Sequence, residues 1–76
     1  MKPSEFRETV LAEVWHPFTI RTKGGAALPI AHQSGIWFPD GYDHTVCVSI
    51  PGKGIMLIDI DSIEAVQFEH QVAAFN

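Results

Sequence analysis

The sequence predicts a mainly β domain in which an N-terminal helix precedes a five-stranded, strongly bent antiparallel sheet. Apolar residues recur at helical spacing over residues 4–14, and from Phe18 onward apolar and polar residues alternate with period two. Glycine- and proline-rich turns separate the alternating segments. Because a sheet of short strands removes its edges by closing, we expect a small barrel with the helix over one open end. A helix packed flat on an open antiparallel sheet is the alternative.

The 76 residues are expected to form one domain, with the barrel over about 17–69 and a loose tail over about 70–76. The composition, 46% hydrophobic and 18% charged, is typical of a globular protein. A core this small is marginal and often needs a supplement. The single cysteine, Cys47, excludes an internal disulfide, which leaves self-association or a metal.

The helix is predicted to begin at Ser4, a suitable N-cap, with Glu5 and Glu8 near the positive end of the helix dipole. Its apolar stripe is formed by Phe6, Val10, Leu11 and Val14. Pro17 should end the helix, since the residue before a proline is pushed away from helical angles. So short a helix must pack on the rest of the domain.

The first predicted hairpin follows this helix. Phe18 and Ile20 alternate with polar residues in one strand, and the glycines at 24–25 make a tight turn. Leu28 and Ile30 then share one face of a second strand. The proline between them cannot donate to a ladder, which places that strand at an edge or a bulge.

A bend and a second hairpin complete the middle of the chain. Residues 33–35 interrupt the second strand, and residues 36–38 continue it after the bend. The turn at 39–41 leads to a strand over 45–50 with alternating apolar residues, and residues 51–54 make the next turn. We therefore expect the bent strand to lie beside the strand that follows it.

The next strand, residues 55–58, is apolar on both faces. Such a strand is either covered on both sides or lies in a subunit contact. A short polar turn at 59–62 leads to a last strand over 64–68, whose Val66 and Phe68 should face inward.

The segments Pro17-Phe18-Thr19-Ile20, Gly24-Gly25 and Leu57 to Val66 resemble the Sm-like fold, an SH3-like small barrel whose family includes bacterial Hfq. The chain is also similar to small bacterial proteins that share a Pro-Phe-x-Ile opening and an Ile-Asp-x-x-x-Ile close. The resemblance implies a bent barrel that assembles into a ring through the fourth and fifth strands of neighbouring copies. It also implies binding of single-stranded RNA.

We expect two sets of surface residues to make contacts with other molecules. The expected oligomer contact is formed by Ile55, Leu57 and Val66. The expected partner or RNA surface is formed by Arg21, Lys23, Trp37 and Tyr42. Core packing is the competing role for Trp37 and Phe38, whereas an exposed stretch from 37 to 42 would be an apolar patch for a protein partner.

The charge pattern disfavours RNA as the partner. The net charge is -4, whereas phosphate binding needs clustered cations. Asp59 and Asp61 occupy the turn where Hfq-like proteins carry a Lys-His pair, and carboxylates repel phosphate.

Asp43, His44 and Cys47 are the nearest set of metal ligands in the sequence. No Cys-x-x-Cys or His-x-x-x-His spacing accompanies them, and no nucleophile elbow, phosphate loop or dinucleotide fingerprint is present. We therefore expect no catalytic residue, no cofactor and no metal, and a small metal-binding domain is kept as an alternative.

The expected function is a non-enzymatic interaction or assembly module that self-associates and meets a protein partner not identified by the sequence. An Sm-like RNA-binding ring is the alternative. No apolar run is long enough to span a membrane, and the charged start lacks a signal-peptide block, so the expected location is the cytoplasm.

Overall fold

The computed structural model describes residues 1–68, which form one helix and six strands. The elements are α1 (Pro3–Val10), β1 (Phe18–Thr22), β2 (Ala27–Ile30), β3 (Ile36–Trp37), β4 (Thr45–Ile50), β5 (Gly54–Asp59) and β6 (Ile63–Phe68). The expected mainly β class with an N-terminal helix is confirmed. The last residue of the predicted barrel, residue 69, and the predicted tail at 70–76 lie outside the described residues.

The strands form two three-stranded antiparallel sheets, ordered β2-β1-β6 and β3-β4-β5. Six strands appear instead of the predicted five because a 3-10 helix, Gln33–Gly35, divides the predicted second strand into β2 and β3. Within residues 1–68 the two sheets are not closed into a barrel. The chain therefore passes from one sheet to the other at the predicted bend.

The helix is shorter than predicted and begins one residue earlier. Lys2 is its N-cap, and the Lys2 backbone N–H donates to Glu5 Oε1 at 3.3 Å, so Ser4 lies inside the helix. The predicted apolar stripe divides in two: Phe6 and Val10 are buried, whereas Leu11 and Val14 are exposed. A short helix persists only where it packs, and residues 11–14, which follow Val10, are all exposed.

The predicted tight turns are confirmed. Gly25 has φ 94° in the β1–β2 hairpin, and Gly52 has φ 82° in the β4–β5 hairpin. Both values lie in the left-handed region, which glycine enters without the steric cost of a Cβ atom. In the second hairpin the Lys53 N–H donates to the Ile50 carbonyl at 2.9 Å.

One hydrophobic core lies between the helix and the inward faces of both sheets. Its buried residues are Phe6, Val10, Phe18, Ile20, Leu28, Ile30, Val46, Val48, Ile50, Ile58, Ile60 and Ile63. The rings of Phe6 and Phe38 meet edge to face at 5.9 Å, and the Arg7 guanidinium lies 4.4 Å from the Phe38 centroid. Phe38 therefore packs against the core, as predicted, and so do Val66 and Phe68.

Candidate interaction surface

Strand β5 divides its apolar residues between two faces. Ile58 is buried in the core, and Met56 packs against the core from the same face. Ile55 and Leu57 point the opposite way and are 65% and 72% exposed. Since side chains alternate along a strand, the doubly apolar pattern reflects one face in the core and one face in solvent.

Ile55 and Leu57 belong to a larger apolar surface on the outer face of sheet β3-β4-β5. The register places Trp37 opposite Cys47 and Cys47 opposite Leu57, so these three side chains form one row across the sheet. Directly opposite residues have Cβ atoms about 4.5–5.5 Å apart. We call Trp37, Cys47, Ile55 and Leu57 the outer-face patch.

Cys47 occupies the middle of this patch. It lies between Val46 and Val48, which belong to the core, and it is itself outside the core cluster although only 6% exposed. Its cover must therefore come from the outer face, where Trp37 and Leu57 are its cross-strand neighbours. Cys47 acts there as a small apolar residue.

The candidate metal ligands Asp43, His44 and Cys47 are not brought together. His44 is exposed and its Nδ1 lies 2.8 Å from Asp61 Oδ2. Across residues 1–68 no three His, Cys, Asp or Glu side chains are placed to hold a metal ion. The His44–Asp61 contact could not be predicted from the sequence, since the two residues are 17 positions apart and belong to no motif.

The acidic turn between β5 and β6 is held by local hydrogen bonds. Asp59 Oδ1 accepts the Asp61 backbone N–H at 3.0 Å, and the Ile60 N–H donates to the His44 carbonyl at 2.8 Å. Together with the His44–Asp61 pair, these bonds fix the turn to the chain just before β4. Asp59 and Asp61 thus have a structural role that requires no bound cation.

The predicted partner or RNA surface does not form a single cluster. Arg21 lies on β1, and its Nε donates to Gln67 Oε1 of β6 at 2.7 Å. Trp37 is 40% exposed on the other sheet, while Lys23 and the 65%-exposed Tyr42 lie in separate turns. The cations and the aromatic rings therefore belong to different parts of the molecule.

The predicted oligomer residues also divide between the sheets. Val66 lies opposite Ile20 on the core-facing side of β6, whereas Ile55 and Leu57 lie on the outer face of β5. As far as residue 68, β5 pairs only with β4 and β6 pairs only with β1. Each of these strands therefore presents an edge, and the two edges belong to different sheets.

A shallow cleft of about 220 Å³ adjoins the outer-face patch. It is lined by Ala31, His32, Ser34, Gly35, Ser49 and Pro51. Ser49 connects the two features, because it lies opposite Ile55 in the β4–β5 register. The lining contains no lysine, arginine or carboxylate, so the outer-face patch continues into a cleft that lacks these charged side chains.

Comparison with known proteins identifies no relative. No protein-family model matches the sequence, and no match was found among the curated proteins or the solved structures. Among the described helices, none is long and apolar enough to cross a membrane. The exposed residues of the chain are therefore the basis for its proposed function.

Proposed function

We propose that the protein is a non-enzymatic interaction module that self-associates through β5 and the outer-face patch. The observation that carries the proposal is the exposure of two large aliphatic side chains, Ile55 and Leu57, on a strand with an unpaired edge. Scattered apolar residues on a surface are ordinary, but an apolar edge strand is a template for pairing with another chain.

The energetics favour covering this surface. Fully burying one leucine or isoleucine side chain contributes about 1.5–3 kcal/mol. Because a chain of this length has a marginal core, association of folded copies would also raise the apparent stability of each copy. A second copy supplies both an apolar face and a free strand edge.

The barrel and ring expected from the Sm-like resemblance are one form of this proposal. In that arrangement β5 of one copy would lie beside β6 of the next, and Val66 would enter the contact. Its support is that β5 and β6 are both edge strands in the part of the chain described. Single-stranded RNA has weaker support, since Arg21 and Trp37 lie on different sheets and the net charge is -4.

The test compares two leucine substitutions that differ in position. Leu57→Lys places a charge in the proposed contact, and Leu11→Lys places the same charge on another exposed leucine outside both sheets. Light scattering behind size exclusion at micromolar concentration should show an oligomer for the wild type and for Leu11→Lys. Leu57→Lys should be monomeric, with the circular dichroism spectrum of the folded subunit.

Two outcomes would contradict the proposal. One is a monomeric wild type throughout the micromolar range, and the other is an oligomer that Leu57→Lys leaves intact. Native mass spectrometry of the same samples reports retained nucleic acid, and an RNA-bound wild type would favour the RNA-binding ring.

A further inference from the structure

We propose that two copies join by antiparallel pairing of β5 with β5, in a register that places Ile55 of each copy opposite Leu57 of the other. The two-fold axis passes beside Met56. The pairing would join the two β3-β4-β5 sheets into one continuous sheet with symmetric halves. This inference rests on the proposed self-association and specifies the surface, the symmetry and the register.

We place the contact at β5 and not at β6 because the edges of the two strands differ in regularity and in charge. The six residues of β5 pair with β4 in an unbroken register. The pairing of β6 with β1 shifts between Arg21 and Thr22, which leaves Glu64 without a cross-strand partner. Bulges and charges are the features by which proteins prevent strand edges from pairing, and within residues 1–68 β6 has both.

The register follows from which side chains would face each other. Opposite residues of an antiparallel pair share a face, so the outer-face residues of one β5 meet those of the other. With Met56 on the axis, Ile55 meets Leu57 twice, and the exposed Lys53 of the hairpin meets the exposed Asp59 twice. The contact is then apolar at the centre and complementary in charge at both ends.

The neighbouring registers lack this complementarity. A shift that puts Leu57 on the axis places Ile55 opposite the Asp59 carboxylate of the second copy. The reverse shift, with Ile55 on the axis, places Leu57 opposite Lys53. Directly opposed apolar pairs and opposite charges stabilise a sheet, so the register with Met56 on the axis is favoured.

The same register extends the outer-face patch across the axis. The row Trp37, Cys47 and Leu57 of one copy would continue into Ile55 and Ser49 of the second copy. A second row runs the opposite way by symmetry. No lysine, arginine, aspartate or glutamate lies in these rows, so the joined surface has an uncharged centre.

The test is disulfide trapping in a Cys47→Ala background, which prevents a bond between Cys47 and a cysteine at its neighbour, position 57. Ile55→Cys and Leu57→Cys are prepared separately, checked for an unchanged dimer mass, and oxidised with oxidised glutathione, alone and mixed. The mixture should give a disulfide-linked dimer. Each variant alone should stay mostly unlinked, because in this register identical positions lie about two residues apart along the strand, beyond disulfide reach.

The other outcomes overturn the inference in different ways. Linkage of Ile55→Cys alone or of Leu57→Cys alone would indicate one of the shifted registers. A dimer that neither variant nor the mixture can link has its contact elsewhere, which rejects the β5 pairing while leaving self-association intact. A monomeric wild type rejects both.

Amide hydrogen exchange of the unmodified protein gives a second, independent test. When the protein concentration is raised until the dimer predominates over the monomer, amide exchange in β5 should slow several-fold. The exchange rates of β6 amides should stay unchanged. Slower exchange in β6 instead of β5 would overturn the inference, even if the cysteine variants failed to associate.

Discussion

Strands β5 and β6 have equal lengths, and within residues 1–68 each pairs on one side only, yet their edges differ in character. Strand β6 is interrupted by a register shift and has an exposed glutamate, Glu64. Strand β5 is regular and exposes Ile55 and Leu57. The edge of β6 has features that hinder pairing and the edge of β5 lacks the bulge, which is why the proposed contact is placed at β5.

The inward faces of the two strands show that core packing does not explain this difference. Ile63 at the start of β6 is fully buried, and Ile58 of β5 is nearly so. Both strands therefore contribute to folding, and they differ in the register shift of β6 and in the residues that face outward. The aliphatic side chains of Ile55 and Leu57 are mostly exposed in an isolated subunit and contribute little to its core, whereas in a paired edge they would be covered.

The largest predicted effect separates a folding residue from a surface residue of the same type. Ile63→Ala removes a fully buried side chain and should lower the free energy of unfolding by about 2–5 kcal/mol. Ile55→Ala, at a 65% exposed position, should change the free energy of unfolding by less than about 0.5 kcal/mol. Urea unfolding is measured for both variants at a protein concentration below the dissociation constant of the dimer. Equal losses of unfolding free energy in the two variants would place Ile55 in the subunit core and contradict its role as a surface residue.

The next prediction concerns a substitution that should allow the edge of β6 to pair as well. Glu64→Val removes the only charged side chain of β6 and adds a residue that favours strands. Species heavier than the dimer should appear in light scattering, through a gain on the order of 1 kcal/mol per new contact. Glu13→Val removes the same charge at an exposed position outside the strands and should leave the mass unchanged. If both variants behave alike, Glu64 has no protective role.

The smallest predicted effect concerns the charges at the ends of the contact. Lys53→Glu should weaken the dimer by roughly 2- to 10-fold, because two exposed attractions with Asp59 become repulsions. Lys23→Glu changes the net charge equally, but Lys23 lies in the other hairpin. The dimer of this variant should therefore have the dissociation constant of the wild-type dimer. The difference between the variants, measured by sedimentation, should shrink as salt is added. A larger effect of Lys23→Glu would reject the register.

Much of the fold could be predicted from the sequence because its signals are local. The alternation from Phe18, the positive-φ glycines of the turns and the interruption at Gln33–Gly35 all lie within a few residues of the structure they determine. The end of the helix was predicted wrongly because periodicity cannot show whether Leu11 and Val14 meet the core. That depends on tertiary packing, which no short window of sequence contains.

The candidate surface was predicted only in part. The apolar composition of β5 predicted a contact at Ile55 and Leu57. That these residues share one surface with Trp37 and Cys47 depends on the register between strands that are distant in sequence. Val66 was expected in the same contact, yet it packs against the core from the inner face of β6. The bulge that protects β6 is likewise a property of pairing, so sequence alone could not separate the two edges.

Sedimentation equilibrium of the wild-type protein over a dilution series reports directly whether the chain self-associates and how many copies join. Self-association through β5 predicts a reversible transition from the mass of two chains to the mass of one as the micromolar sample is diluted. A single monomer mass at every concentration would contradict self-association, and a stable mass of more than two chains would contradict the two-fold pairing of β5.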